Sequence, residues 1–242
     1  MSIVRWPASR RPLRGRSVGA HVSAFRPAWQ AVSDAAGIGP ATSVLDLGCG
    51  DGAFCAFAAA RGATVHGLDI EPDAIAQALE RVPGGDFHLG LMEDLPWPDA
   101  SFDVVTAFNA VQYALDSELA LVEATRVLRP DGRLAVCKWG PPDANEFFAF
   151  LLSIGARGVR DEPLAVNDPV EAAIRATRLK VVATGEVPAP IEIADHAALE
   201  VSLSRAGVSS ASTTLAAAPY RRADGTYRFE NRQRYWILRR AR

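Results

Sequence analysis

The sequence predicts an α/β fold, a doubly wound and mostly parallel sheet with helices on both faces. Three observations predict it. The run Val44-Leu45-Asp46-Leu47-Gly48-Cys49-Gly50-Asp51-Gly52 reads as a short buried strand that turns through glycines into the Ala-rich helix Phe54–Ala60. Strand-like and helix-like runs then alternate as far as Trp139, joined by short turns. The stretch Asp103 to Phe108 is nearly all apolar, as a parallel strand covered on both faces must be.

The elements follow in order. Residues 1–20 carry Arg5, Arg10, Arg11, Arg14 and Arg16, and the first acidic residue is Asp34. The segment lacks the apolar stretch of an export signal, so it reads as a flexible basic tail of a cytoplasmic protein; a transit peptide or twin-arginine signal is the competing reading. Residues 21–37 are helical by the spacing of Phe25, Trp29 and Val32, and Gly37 and Gly39-Pro40 stop that helix. After the glycine turn comes strand two, Thr64 to Leu68. Glu71-Pro72-Asp73 opens a helix, with proline where its missing N–H does no harm. Ile75, Ala78, Leu79 and Val82 mark its apolar face, and Pro83-Gly84-Gly85 ends it. Strand three is Asp86 to Leu89 and strand four Asp103 to Phe108. The helix Ser117 to Leu128 presents Leu119, Leu121, Val122 and Val127, and strand five is Arg133 to Trp139. Beyond Gly140-Pro141-Pro142 the expected elements are helices over 145–154, 168–179 and 193–206, a strand over 181–187, and a last strand over 227–238. Phe147, Phe148 and Phe150 in the first of these helices are core residues or the wall of an apolar substrate pocket.

Bulk properties narrow the function. At 242 residues with 49% hydrophobic composition, residues 21–242 form a single domain with a substantial core. A net charge of −2 provides no field to recruit nucleic acid or an anionic membrane. The arginines crowding the C-terminal end are interleaved with Asp224 and Glu230 and read as a solvated strand edge. Cys49, Cys55 and Cys137 have no metal-ligand spacing, so no metal site is expected, and as small buried hydrophobes they favour a reducing compartment. No apolar run is long enough to span a bilayer.

The chemistry sits in the glycine turn. Gly48-x-Gly50-x-x-Ala53 fits a dinucleotide fingerprint, and Asp69 follows where a ribose-binding carboxylate would stand. Asp46 and Asp51 suit a ligand bearing an ammonium and hydroxyls better than a pyrophosphate. At this point a nicotinamide-dependent dehydrogenase and a methyltransferase are both open.

Four stretches carry a resemblance. Asp46-Leu47-Gly48-Cys49-Gly50-Asp51-Gly52 resembles motif I of the class I S-adenosylmethionine (SAM) dependent methyltransferases. Thr64–Ile70 looks like that family's second strand with its ribose-clamping acid. Glu93-Asp94-Leu95-Pro96-Trp97-Pro98-Asp99-Ala100-Ser101-Phe102-Asp103-Val104-Val105 and Arg126-Val127-Leu128-Arg129-Pro130-Asp131-Gly132 are similar to signatures of its type-11, small-molecule branch. The matched region is roughly residues 40–140. The resemblance implies a Rossmann-like sheet of seven strands with the last one antiparallel, SAM as cofactor, and methyl transfer to an O, N or C atom of a small molecule by a monomer or homodimer. It places the SAM-binding core in residues 21–140 and the substrate side in 141–242.

The implied site follows residue by residue. Asp46, Gly48, Cys49 and Gly50 lie at the methionine end, Asp69 holds the ribose diol, and Ile70 packs on the adenine. Asn109 holds the methionine carboxylate or faces the acceptor. Leu91 stands where the family often has an adenine-reading Asp, so the adenine is read by the backbone of Met92 or by Glu93. A general base is needed only for a protonated acceptor. The candidates are Tyr113, His21 and His196, while His66 and His88 lie inside strands and read as structural. The N-terminal helix with Trp29 either overlies the SAM pocket or packs on the sheet. A non-catalytic SAM-binding accessory protein and a nucleic-acid methyltransferase remain as alternatives.

Overall fold

A computed structural model describes residues 22–155, 168–205 and 213–241. The basic segment 1–20 and His21 lie outside the described residues. The chain begins with helix α1 (Val22–Ala36). It continues through β1 (Ser43–Leu47), α2 (Ala53–Ala60), β2 (Thr64–Asp69), α3 (Pro72–Arg81), β3 (Asp86–Leu89), β4 (Phe102–Phe108), α4 (Ser117–Val127) and β5 (Leu128–Trp139). The second half holds α5 (Glu146–Ser153), α6 (Pro169–Ala176), β6 (Leu179–Pro188), β7 (Ile191–Ile193), α7 (His196–Arg205), α8 (Thr213–Ala217), β8 (Tyr227–Phe229) and β9 (Arg232–Arg240).

The main sheet has seven strands in the order β3-β2-β1-β4-β5-β9-β6. β1 pairs parallel with β2 and with β4, through Val44↔Val65 and Val44↔Val104. β9 runs antiparallel between β5 and β6. The expected architecture is therefore present, including the antiparallel last strand. Strand order reverses at β1, so a crevice opens beyond the carboxyl ends of β1 and β4.

Side-chain alternation explains why both faces are covered. Leu45, Val105, Leu134, Val136, Trp236 and Leu238 point to the face packed by α4 and α6. Val44, Val104, Ala135, Cys137 and Ile237 point to the face packed by α1, α2 and α3, where Trp29 and Val32 of α1 meet Phe54 and Ala58 of α2. Cys49, Cys55 and Cys137 are buried and unpaired.

Several expectations need correction. The stretch 227–238 is two strands, broken at Glu230-Asn231, and β8 pairs with β7 in a separate small sheet. The expected helix over 193–206 is preceded by β7, whose last residue is Ile193. β5 begins at Leu128, because Phe102 pairs with Leu128 while Val104 pairs with Arg133, and the turn between them bulges from the ladder. On α4 the buried side is Ala120, Leu121, Ala124 and Val127, whereas Leu119 and Val122 are exposed. Small alanines let that helix approach the sheet closely.

β7, β8, α5, α7 and α8 form a lobe with its own apolar interior, built on Phe150, Leu151, Ile191, Ile193, Leu199, Leu203 and Phe229. Two buried asparagines join it to the sheet. Asn145 Nδ2 donates to the carbonyls of Gly140 and Pro141 at 2.7 and 2.8 Å, and Asn231 Oδ1 accepts from Phe147 N at 3.1 Å. The C-terminal arginines are used within the fold: Arg240 Nη2 donates to the carbonyls of Thr125, Arg126 and Leu128 at the end of α4. No helix among the described residues is long and apolar enough to cross a membrane.

Candidate active site

The turn after β1 needs its glycines. Gly48 has φ +70°, and a Cβ there would sit 2.6 Å from the Cβ of Ala110. Gly52, at φ +74°, lies so close to Ala78 of α3 that a Cβ would meet its backbone at 3.0 Å. Gly48 N and Cys49 N both donate to Leu68 O, at 2.8 and 3.0 Å, which ties the turn to the end of β2.

The same tie presents Asp69. Its Oδ2 accepts from Gly50 N at 2.8 Å and its Oδ1 from Glu71 N at 3.0 Å. Each oxygen keeps a further lone pair for a ligand. Around it opens a cavity of about 330 Å³ lined on one side by Gly48, Gly50, Ile70 and Ala74, with Leu91, Met92 and Glu93 on another. Asn109, Ala110, Tyr113 and Leu115 complete its wall. The structure thus brings Gly48, Gly50, Asp69, Ile70, Met92, Glu93, Asn109 and Tyr113 around one space.

It does not bring in Asp46, Cys49 or His196. Asp46 is buried behind the turn, 2% exposed, and its Oδ1 accepts from Thr106 Oγ1 at 2.7 Å. Burial pushes its carboxyl up to about 7, with the Thr106 hydrogen bond opposing and the Asp69 charge adding to the rise. Cys49 is also buried behind the turn, and burial pushes its thiol well above the usual thiol range. Asp51 turns away to Arg81, with Oδ2 2.7 Å from Nη2. The two carboxylates that favoured an ammonium-bearing ligand therefore line no part of the cavity, because the turn folds around them.

His196 opens α7 in the lobe, where Nδ1 lies 3.1 Å from the Tyr227 hydroxyl and Nε2 3.7 Å from Glu200. It does not line the cavity. Tyr113 does, at the rim, and is 47% exposed. Asn109 adopts φ +52°, and its Oδ1 accepts from Trp139 N at 2.9 Å, fixing the ends of β4 and β5 together. Trp29 is 7% exposed and packs against Phe25, Phe54 and Phe57 rather than over the cavity. Phe150 and Phe147 belong to the lobe interior, while Phe148 meets Trp139 with ring centroids 5.7 Å apart. Sequence reasoning missed Leu115 as a lining residue; its sole signal is its place between Tyr113 and the helix start.

One wall of the cavity is held from outside. Arg126 of α4 donates to Trp97 O at 2.9 Å, to Leu95 O at 3.0 Å and to the Glu123 carboxylate at 2.8 Å, while Glu123 accepts from Leu95 N at 3.0 Å. This lashes the loop that carries Leu91–Glu93 onto α4. Hydrogen bonding by Arg126 holds the Glu123 carboxyl below the usual carboxylate range. Arg126→Ala strands two partly buried carbonyls and a carboxylate. It is expected to cost about 1–3 kcal/mol in urea denaturation; an unchanged midpoint would count against the clamp.

Comparison with known proteins agrees with this geometry. Residues 45–136 match the type-11 family described as Methyltransferase domain. The nocamycin O-methyltransferase of Saccharothrix syringae is 37% identical over 164 residues, covering 63% of this chain and 59% of that one. An uncharacterised methyltransferase of Synechocystis sp. is 39% identical over 101 residues, 41% of this chain and 48% of the relative. The chain thus spans about half the length of these curated relatives. Among solved structures, the geranyl diphosphate C-methyltransferase of Streptomyces coelicolor A3(2), in complex with Mg2+, geranyl diphosphate and S-adenosyl-L-homocysteine, aligns with TM-score 0.57 at 17% identity, covering 88% of this chain and 78% of that one. A candidate methyltransferase from Bacillus halodurans C-125 aligns with TM-score 0.66 at 16% identity, covering 88% and 99%. At these identities the solved structures speak for the fold alone. Motif turn, strand order and family match converge on residues 45–136, which match a methyltransferase domain of the type-11 family.

Proposed function

We propose that the chain transfers a methyl group from SAM to an O, N or C atom of a small molecule. The observation that carries the reading is Asp69, held by two backbone N–H groups at the edge of a cavity whose floor is a side-chain-free turn. Its remaining lone pairs suit a ribose diol, and Ile70, Ala74 and Leu91 supply an apolar slot for adenine. When bound, SAM supplies a methyl carbon activated by positive sulfur. The chain's own part is alignment and exclusion of water. Among the described residues no histidine lines the cavity, and its carboxylates, Asp69, Glu71 and Glu93, gather on the β2–β3 side. Among the described residues Tyr113 is the general-base candidate at the cavity, and an acceptor that arrives already nucleophilic needs none.

Relatives named for O- and C-methyl transfer support a small-molecule acceptor and leave its atom open. No metal-binding group of His, Cys, Asp or Glu occurs among the described residues. Titration calorimetry with SAM, S-adenosylhomocysteine (SAH) and NAD tests the reading. Micromolar binding of the first two with no heat from NAD is expected; preference for NAD would restore the dehydrogenase. Binding without turnover against acceptors of every class would instead favour the accessory protein.

A further inference from the structure

We infer that Arg81, which lies outside the cavity, is a positioning residue for the ribose site: acting through the glycine turn, it sets the orientation of the Asp69 carboxylate. The inference rests on the reading above, that Asp69 meets the ribose diol. Arg81 is the last residue of α3. Its Nε donates to the main-chain oxygen of Asp51 at 2.8 Å, and its Nη2 donates to Oδ2 of the same residue at 2.7 Å. Oδ1 of Asp51 accepts from Ala53 N at 3.2 Å, so that side chain is held on both oxygens. One guanidinium therefore grips the backbone and the side chain of a single turn residue, the next in the chain after Gly50.

These bonds close a ring. Glu71 caps the start of α3, and its N–H fixes Oδ1 of Asp69. The N–H of Gly50 fixes Oδ2. The turn that supplies Gly50 is bolted to the far end of the same helix through Asp51 and Arg81. Between these two points Gly52 rests on Ala78, so close that a Cβ would meet the helix backbone at 3.0 Å. Both oxygens of the Asp69 carboxylate are thus referred to one helix of ten residues, the first directly and the second by way of the turn.

An ion pair between two exposed side chains would contribute little. Here the Asp51 side chain is 16% exposed, and one of the two bonds goes to a main-chain carbonyl. The planar fork consequently constrains where the turn lies as well as where a side chain points. Arg81 lines no part of the cavity. Its loss leaves every ligand-facing group chemically unchanged and removes the outer restraint on the Gly50 N–H. What is lost is the preset geometry that lets one carboxylate meet two hydroxyls at once.

The experiment is calorimetric titration of the full chain, as wild type, Arg81→Ala and Arg81→Lys, with SAH and with its 2′-deoxy counterpart. The second ligand lacks one of the ribose hydroxyls. The wild type is expected to prefer SAH by at least about 10-fold. In Arg81→Ala that preference is expected to shrink about 3- to 10-fold, because SAH loses affinity while the deoxy ligand, which draws less on Asp69, loses little. Arg81→Lys keeps the charge and a single bond, so it should fall between the two, and it serves the measurement if the alanine variant does not fold. A residue that merely stabilises the fold would weaken both ligands alike. Equal weakening therefore overturns the inference, as does an unaltered preference in the variants. A wild type that binds both ligands equally would remove the ribose reading and the inference with it. A wild type that binds neither would be a different result, and it would remove the cofactor reading itself.

Discussion

Asp69→Ala is expected to bind SAM and SAH about 10- to 100-fold more weakly than the wild type, the loss that accompanies removal of a charged hydrogen-bond partner worth about 1.5–3 kcal/mol. The effect has two sources. The carboxylate's spare lone pairs no longer meet the ribose hydroxyls. Gly50 N and Glu71 N also lose the acceptor that fixes the turn and the start of α3 around the ligand. The second source predicts that Asp69→Asn does not rescue binding, since the amide nitrogen must then face a backbone N–H or the ribose in place of an oxygen. Calorimetry on both variants measures this, with far-ultraviolet circular dichroism to show that the sheet is intact. Affinity within 2- to 3-fold of wild type would place the ribose elsewhere.

Asp46→Asn is expected to change the pH dependence of stability. The Asp46 carboxyl, raised to about 7 in the fold from an ordinary 3.8, binds its proton more tightly folded than unfolded. Its contribution is therefore fully present below about pH 4, falls as the pH rises, and is lost above about pH 7. One proton over that window corresponds to about 1.4 kcal/mol per pH unit, so from pH 5 to pH 8 the wild type should lose about 3 kcal/mol relative to Asp46→Asn. In melting temperature that is on the order of 6–12 °C for a chain of this size. The asparagine keeps the oxygen that accepts from Thr106 and cannot ionise. Thermal unfolding of both proteins at pH 5, 6, 7 and 8 checks it. A constant gap between the two curves would mean that Asp46 is already ionised throughout.

What the sequence revealed and what it hid divide along physical lines. β4 was legible because a parallel strand covered on both faces must be nearly all apolar, and the glycine turn because a backbone at positive φ must be glycine where a Cβ would strike Ala110. Asp69 was legible because it follows a strand at a spacing set by one strand–turn–helix–turn unit. β7 and β8 were not, since strands of three residues hold too few positions to show an alternation. The placement of Asp46 and Asp51 was hidden for a different reason. Spacing along a turn states how near two residues are in the chain and not which way each points. Folding turned one toward Thr106 and the other toward Arg81. His196 was proposed on chain position, and the lobe that carries it has a core of its own. On α4 the larger side chains suggested the buried face, but close helix–sheet contact selected alanines.

The junction at Asn145 and Asn231 bears on how this architecture could change. Phe150, Ile193, Leu199 and Phe229 interlock with one another within the lobe, and beside the Phe148–Trp139 contact the passage to the sheet runs through two amide side chains and main-chain hydrogen bonds. A boundary of that kind acts as a seam. Fluctuations on the lobe side can break its own contacts while the nucleotide floor stays closed, and hydrogen exchange should resolve the two halves into separate cooperative units. Along the same seam, the lobe elements α5, β7, α7, α8 and β8 could take a different interior while α6 and β6 stay on the sheet, without rewriting the turn, the strand order or Asp69. Recognition of the acceptor and retention of the methyl donor would then be inherited as separable parts of one chain.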